Sequence, residues 1–200
     1  MPEFSNDNAC LYSGTGDRKY INQAERRRVL AAMERLERER ALFSLLLAWT
    51  GGRISEVLAV CPNSFQIERN IVTLRTLKRR RPHFREVPIM PGLMEAIDQQ
   101  FGLMALQRDP DAANRRLWSC SRVTAWRFVK GAMLEAGVAG RPACPRGLRH
   151  GFAVATLRAS VPLNLVQRWM GHARISTTAI YTAVSGDEEA AFAERFWQPD

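Results

Sequence analysis

Between Phe65 and Ile89 the spacing of apolar residues changes, and that change limits the folds open to this chain. Phe65-Gln66-Ile67-Glu68 alternates, Ile71-Val72-Thr73-Leu74 is rich in β-branched residues, and Phe84 to Ile89 is a third extended run closed by Pro91-Gly92. Alternation with a period of two turns one face of a strand inward. Arg69-Asn70 ends the first run and a basic turn separates the second from the third, so the segment predicts a small antiparallel sheet. On both sides of it the period is helical. Asn22 and Glu25 have capping-box spacing ahead of Val29, Leu30, Met33 and Leu36. A more apolar helix covers about 41–50, Gly51-Gly52 breaks it, and a short helix resumes through Ile54, Val57 and Leu58. Further helices are predicted near 91–102, 121–136, 147–159, 162–170, 176–183 and 186–197. The expected fold class is mainly α with a small three-stranded antiparallel sheet (α+β). Residues 1–21, polar and rich in Gly, Ser, Asn and Asp, are expected to be a flexible arm before one domain over 22–200.

Composition narrows the setting. At 46% hydrophobic residues the chain has material for a core. Its longest apolar run, Ala41 to Trp49, is far short of the roughly 18 residues of a membrane span. The first twenty residues lack the apolar stretch of a signal peptide. A soluble cytoplasmic protein, nucleoid-associated in a prokaryote, is expected. The net charge of +9, from 29 Lys+Arg against 20 Asp+Glu, argues for a polyanionic partner, nucleic acid before a membrane surface. Arginine bias from genome composition would give the same charge. The four cysteines contain no C-x-x-C pair, and His83, His150 and His172 lack ligand spacing, so neither a metal nor a cofactor is expected.

Four segments stand out. The first is the basic turn, Lys78-Arg79-Arg80-Arg81, whose crowded charges suit solvent or phosphates. Lys78 is one of only three lysines, and a lysine can donate a proton near neutral pH where an arginine cannot. The second is Arg146-Gly147-Leu148-Arg149, whose arginines are i,i+3 neighbours that an anion could bridge. In the third, Arg53 follows a glycine break and Glu56 comes three residues later, placed to hold it. In the fourth, His172 follows a helix stop and Tyr181 lies on the short helix beyond. Each alone has an ordinary reading: a solvated loop, an exposed arginine pair, a surface ion pair, a rim tyrosine.

Together, TGGRISE at 50–56, the hairpin lysine followed by REVPI at 85–89, RGLRHGFA at 146–153, MGH at 170–172 and STTAIY at 176–181 resemble the tyrosine recombinase (phage integrase) catalytic domain. They occur in that family's order and cover about residues 22–197. The resemblance implies the DNA breaking-rejoining fold and a metal- and ATP-independent reaction on double-stranded DNA. It implies that Arg53 and Arg149 clamp the scissile phosphate, and that Tyr181 attacks it and becomes joined to the 3′-phosphate. A cation of the hairpin then protonates the leaving 5′-oxygen; the hairpin is longer than many, so spacing leaves Lys78 and Arg79 to Arg81 open and residue type favours Lys78, while His172 donates a hydrogen bond to the phosphate and Glu56 supports Arg53. Arg79, Arg80 and Arg81 would contact DNA. Guanidiniums match the charge that a phosphodiester develops in its transition state, and the covalent phosphotyrosine preserves the bond for resealing.

Two departures accompany the resemblance. The box around Arg149 usually opens with histidine, and Arg146 stands there, expected among the catalytic residues beside Arg53 and Arg149 at the phosphate; arginine binds phosphate but is a poor base. A short form without the N-terminal helical domain of many integrases is also expected, a layout similar to that of fimbrial phase-variation invertases. Self-association on DNA as a tetrameric synapse follows from the resemblance, with the 186–197 segment docking on a neighbour or on its own domain, and accessory DNA-bending proteins among the partners. Integration, inversion and resolution remain open. Two other readings compete: a DNA-binding protein that keeps the fold with impaired catalysis, and a type IB topoisomerase sharing the chemistry.

Overall fold

Asn22 starts the first helix as its spacing predicts. Its side-chain oxygen accepts from Glu25 N at 2.9 Å, and the Glu25 carboxylate accepts from Asn22 N at 2.8 Å. The structure, a computed structural model, describes residues 10–76 and 83–182 and, near the C-terminus, residues 190, 193, 194, 196 and 197. Helix α1 spans Gln23–Glu34, α2 Arg38–Thr50 and the single turn α3 Ile54–Val57. Strands β1 (Phe65–Gln66), β2 (Ile71–Arg75) and β3 (Phe84–Pro88) follow. Then come α4 (Pro91–Phe101), α5 (Leu103–Arg108), α6 (Arg122–Glu135), α7 (Pro145–Arg158), α8 (Leu163–Met170) and α9 (Ser176–Ala179), with a 3-10 turn over Ile180–Thr182.

The fold class is the expected one, mainly helical with an antiparallel sheet in the order β1-β2-β3. Val72 pairs with Val87 and Leu74 with Arg85. The first strand is shorter than its alternation suggests, because Ile67–Arg69 coil into a 3-10 turn that ends on Asn70 at φ +52°. Asparagine tolerates this left-handed conformation at lower cost than most residues. The Lys78–Arg81 turn lies outside the described residues, and so does most of the expected 186–197 helix; the five residues described there, 190, 193, 194, 196 and 197, are helical. Of the C-terminal segment's aromatic residues, Phe196 and Trp197 are 87% and 70% exposed.

Two apolar clusters share α7. The larger one joins α1, α2, α4, α6 and the sheet, and includes Leu148 of α7. The smaller one gathers Leu11, Tyr20, Phe152, Val154, Val166, Met170 and Tyr181. Part of the expected flexible arm therefore lies folded on the domain: Leu11, Tyr20 and Ile21 are buried, and Arg18 forms a two-bond ion pair with Glu25 at 2.8 Å. Three apolar side chains spaced among polar ones suffice, since burying each contributes about 1.5–3 kcal/mol.

The break after α2 brings backbone and helix together. Gly51 has φ +59°, and a Cβ there would lie 2.3 Å from a Phe152 ring carbon. Only glycine meets both demands, and the result is that α3 begins beside α7.

Candidate active site

Glu56 is the buried charge around which the site is built. It is 2% exposed, and the α3 turn places it three residues after Arg53. Its carboxylate accepts from Arg53 N at 3.0 Å and from Arg53 Nη1 at 2.8 Å. From the other side Arg85 Nη2 donates to it at 2.6 Å. Burial pushes the Glu56 carboxyl up, but the charge and hydrogen bond of Arg85, together with those of Arg53, outweigh it and hold the group below its ordinary value. Glu56 is thus an anion with two guanidinium partners.

Arg85 is buried although it occupies a strand position. Besides Glu56 it donates through Nη1 to Thr76 Oγ1 at 3.0 Å and through Nε to the Trp169 carbonyl at 2.6 Å. A Cβ on Gly171 (φ +65°) would lie 3.0 Å from Arg85 Nη1, so the glycine that stops α8 also admits this side chain. Sheet, α3 and the end of α8 are pinned by one residue.

Arg149 enters from the first half of α7 and is buried. It donates to the Gly51 carbonyl, to the Met170 carbonyl at 2.6 Å, and to His172 Nε2 at 3.1 Å. Burial, with Arg53 nearby, pushes its pKa down to about 9, which leaves it charged at neutral pH. Arg53 differs in keeping a side chain 33% exposed, so its outer edge faces solvent while its inner edge is held by Glu56.

His172 sits just beyond the α8 stop, with Nδ1 at 2.9 Å from Thr178 Oγ1. Arginine has no acceptor. The Arg149 contact therefore makes Nε2 the acceptor and Nδ1 the protonated nitrogen. Burial and the charges of Arg149 and Arg53 push the His172 pKa down to about 3, which agrees with a neutral ring. The expected donation from His172 to a phosphate thus needs a ring protonated at both nitrogens, or displacement from Arg149.

Tyr181, on the 3-10 turn after α9, is 1% exposed. Its ring stacks on His172 at 6.3 Å with 10° between planes. Its hydroxyl lies 2.7 Å from His150 Nδ1. Burial raises the phenol to about 12 against the lowering effect of Arg149 and Arg53. Burial, then the charges of Arg149, Arg146 and Lys19, push His150 down to about 4.

The structure thus brings together Arg53, Glu56, Arg149, His172 and Tyr181 from α3, α7 and the two segments flanking α9. Arg146 is exposed at the start of α7, while its i+3 neighbour Arg149 is buried, so the two do not form a matched pair. Lys78, Arg79, Arg80 and Arg81 fall outside the described residues. The strand ends that flank them, closed by Thr76 N to His83 O at 2.7 Å, adjoin a cleft of about 440 Å³ between β3 and α8 that is lined by His83, Phe84, Arg85, Asn164, Gln167 and His172. Two residues of the site were not singled out in the sequence, His150 and Arg85. The i+4 spacing from Arg146 to His150 was the available signal for the first. Among the described residues no three His, Cys, Asp or Glu side chains cluster as metal ligands would.

Known proteins resemble this chain over most of its length. The chain is 29% identical over 174 residues to tyrosine recombinase XerA of Thermococcus onnurineus, covering 84% of this chain and 58% of that protein. It is 33% identical over 153 residues to tyrosine recombinase XerC of Roseiflexus castenholzii, covering 72% and 47%. The chain thus spans about half the length of these relatives. Among solved structures, a XerH site-specific recombinase bound to a palindromic difH substrate in a post-cleavage complex superimposes with a TM-score of 0.71 at 20% identity, covering 90% of this chain and 54% of that one. The phage integrase family model matches residues 19–188, and the chain belongs to that family of tyrosine recombinases.

Proposed function

We propose that this chain cleaves and rejoins double-stranded DNA at a specific site through a covalent 3′-phosphotyrosine. The observation that carries the proposal is the meeting of two guanidiniums, Arg53 and Arg149, with the Tyr181 phenol and the His172 ring at one place, although 128 positions of sequence separate Arg53 from Tyr181. A phosphodiester lying against the outer edge of Arg53 and the remaining N–H groups of Arg149 has its non-bridging oxygens neutralised. Tyr181 Oη attacks phosphorus, the bond to O5′ breaks, and Lys78 supplies the proton that O5′ needs. Glu56 keeps Arg53 in place, Arg146 and the Arg79–Arg81 turn contact the flanking backbone, and no metal or other cofactor takes part. The relatives' names and the substrate-bound XerH complex support DNA as the partner. A tetrameric synapse, aided by the C-terminal segment, and a cytoplasmic, nucleoid-associated location belong to the same reading.

The test is a pool of nicked suicide duplexes with a randomised core. Incubation with the protein should give a DNA adduct stable on a denaturing gel, absent with Tyr181→Phe, and the recovered DNA should share one sequence. An adduct that persists with Tyr181→Phe overturns the assignment. The exposed position of Arg146 favours one second reading, a DNA-binding protein with impaired catalysis. It predicts salt-sensitive binding to the pool and no adduct.

A further inference from the structure

A tyrosine that attacks phosphorus must lose its phenolic proton, and the group that takes it must have a free lone pair within hydrogen-bond reach. The position that the family resemblance would fill with histidine holds Arg146, a guanidinium with no lone pair to offer. Glu56 is enclosed by Arg53 and Arg85. The Nε2 lone pair of His172 is taken by Arg149, and its Nδ1 hydrogen by Thr178. Tyr181 is 1% exposed, which leaves its hydroxyl little access to bulk water. His150 Nδ1, at 2.7 Å, is the contact that remains among the described residues.

We propose that His150 is the catalytic base of the cleavage step and accepts the Tyr181 phenolic proton at Nδ1. This rests on the reading of Tyr181 as the nucleophile. The proton balance is complete: the Oη–H bond breaks as Oη–P forms, the proton passes to His150, P–O5′ breaks, and O5′ takes a proton from Lys78. Religation returns the phenolic proton from His150 to Oη.

The surroundings fit the role. Accepting from the phenol calls for the neutral tautomer with the lone pair on Nδ1 and the hydrogen on Nε2, one of the two that an imidazole offers. Arg146 and Arg149 on α7 and Lys19 on the N-terminal segment are the charged groups acting on the ring, with Tyr181 facing it and His172 behind the phenol. All three charges disfavour a proton on His150. A bound phosphate brings the opposite charge, so the ring becomes a better acceptor when substrate is in place. Arg146, one turn before His150, thus acts on the base in place of being one.

The test uses the suicide duplex recovered above, with single-turnover adduct formation followed over pH. In His150→Asn the side-chain oxygen can still accept from the Tyr181 hydroxyl near the Nδ1 position but cannot carry its proton away. The expected loss at neutral pH is about 10²–10⁴-fold. The variant's rate should climb with pH as free phenolate forms. It should also be restored in part by fluorotyrosine at position 181, whose phenol is more acidic. A duplex with sulfur in place of the 5′ leaving oxygen, which needs no proton, should leave the defect unchanged. Equal rates and pH profiles for His150→Asn and the unsubstituted protein overturn the proposal. So does a slow variant that neither pH nor fluorotyrosine accelerates, since that marks a residue that only positions the phenol. If the unsubstituted protein gives no Tyr181-dependent adduct, the underlying reading falls, and the proposal with it.

Discussion

Replacing Arg85 by methionine removes three hydrogen bonds from one buried place: to Glu56 at 2.6 Å, to Thr76 at 3.0 Å and to the Trp169 carbonyl at 2.6 Å. Methionine fills much of the volume, so the loss is electrostatic. Glu56 would keep Arg53 as its partner but lose the one that is fully enclosed with it. Breaking a buried ion pair from one side costs about 3–5 kcal/mol because a charge stays behind without compensation. At about 2–4 °C per kcal/mol for a chain of this size, the melting temperature should fall by roughly 6–20 °C. Urea unfolding followed by circular dichroism measures the free energy directly. A double variant, Arg85→Met with Glu56→Leu, removes both charges and should lose less than Arg85→Met alone. The pH response has a definite sign. Glu56 is held below its ordinary value of 4.5, so its contribution is present above that pH and declines as the pH falls through the depressed pKa. In Arg85→Met, burial acts on Glu56 with less opposition and the carboxyl takes a proton more readily, so the deficit should shrink in acid. A single variant costing under about 1 kcal/mol, or a double variant as unstable as the sum of its parts, would refute the account of Glu56 as a charge that depends on Arg85.

Other expectations are simpler to state. Gly51→Ala forces a Cβ to 2.3 Å from Phe152 in a left-handed backbone, and should destabilise by about 1–3 kcal/mol in thermal unfolding. His150 and His172, lowered to about 4 and about 3 from an ordinary 6.5, keep the folded state unprotonated where the unfolded chain binds protons. Their contribution is complete above 6.5 and is lost as the pH falls toward those values, by about 1.4 kcal/mol per pH unit for each group. His172→Gln should flatten that dependence in urea melts. Arg53→Gln should weaken DNA binding and reduce the slope of log K against log salt by about one, as for the loss of one phosphate contact.

The sequence made the scaffold legible where local chemistry decides it. Asn22 with Glu25, Gly51 after an apolar run, and the β-branched Ile71–Leu74 each require little beyond near neighbours. It also placed Arg53, Arg149, His172 and Tyr181 in one set, because their motifs occur together in order. It did not show that Leu11, Tyr20 and Ile21 leave a polar stretch to cover α7, because three residues in such a segment are diluted in any average. Arg85 was hidden by its position in a strand pattern, where an arginine reads as a solvent-facing residue. Its burial depends on Glu56, 29 positions away, and on the space left by Gly171. His150 stands beside Arg149 in sequence but turns toward Tyr181, a pairing that exists only once α7 and the Ile180–Thr182 turn are packed together.

The site gathers cations that its own carboxylate does not balance. Arg53, Arg85 and Arg149 converge, and among the described residues Glu56 is the one carboxylate in contact with them, so positive charge is in excess there. That excess shows in the lowered pKa values of Arg149, His150 and His172, each pushed down by burial and then by neighbouring cations. An anion arriving at Arg53 and Arg149 acts on all of them with the opposite sign. It competes for the N–H that Arg149 gives to His172, frees Nε2, and favours a second proton on that ring. The expected role of His172 as a donor to phosphate would therefore be reached by binding the substrate. The same field would make His150 more basic as Tyr181 needs to lose its proton. Charge excess and proton movement thus belong to one electrostatic arrangement, and the buried Glu56 holds Arg53 and Arg85 close enough together for the coupling to operate.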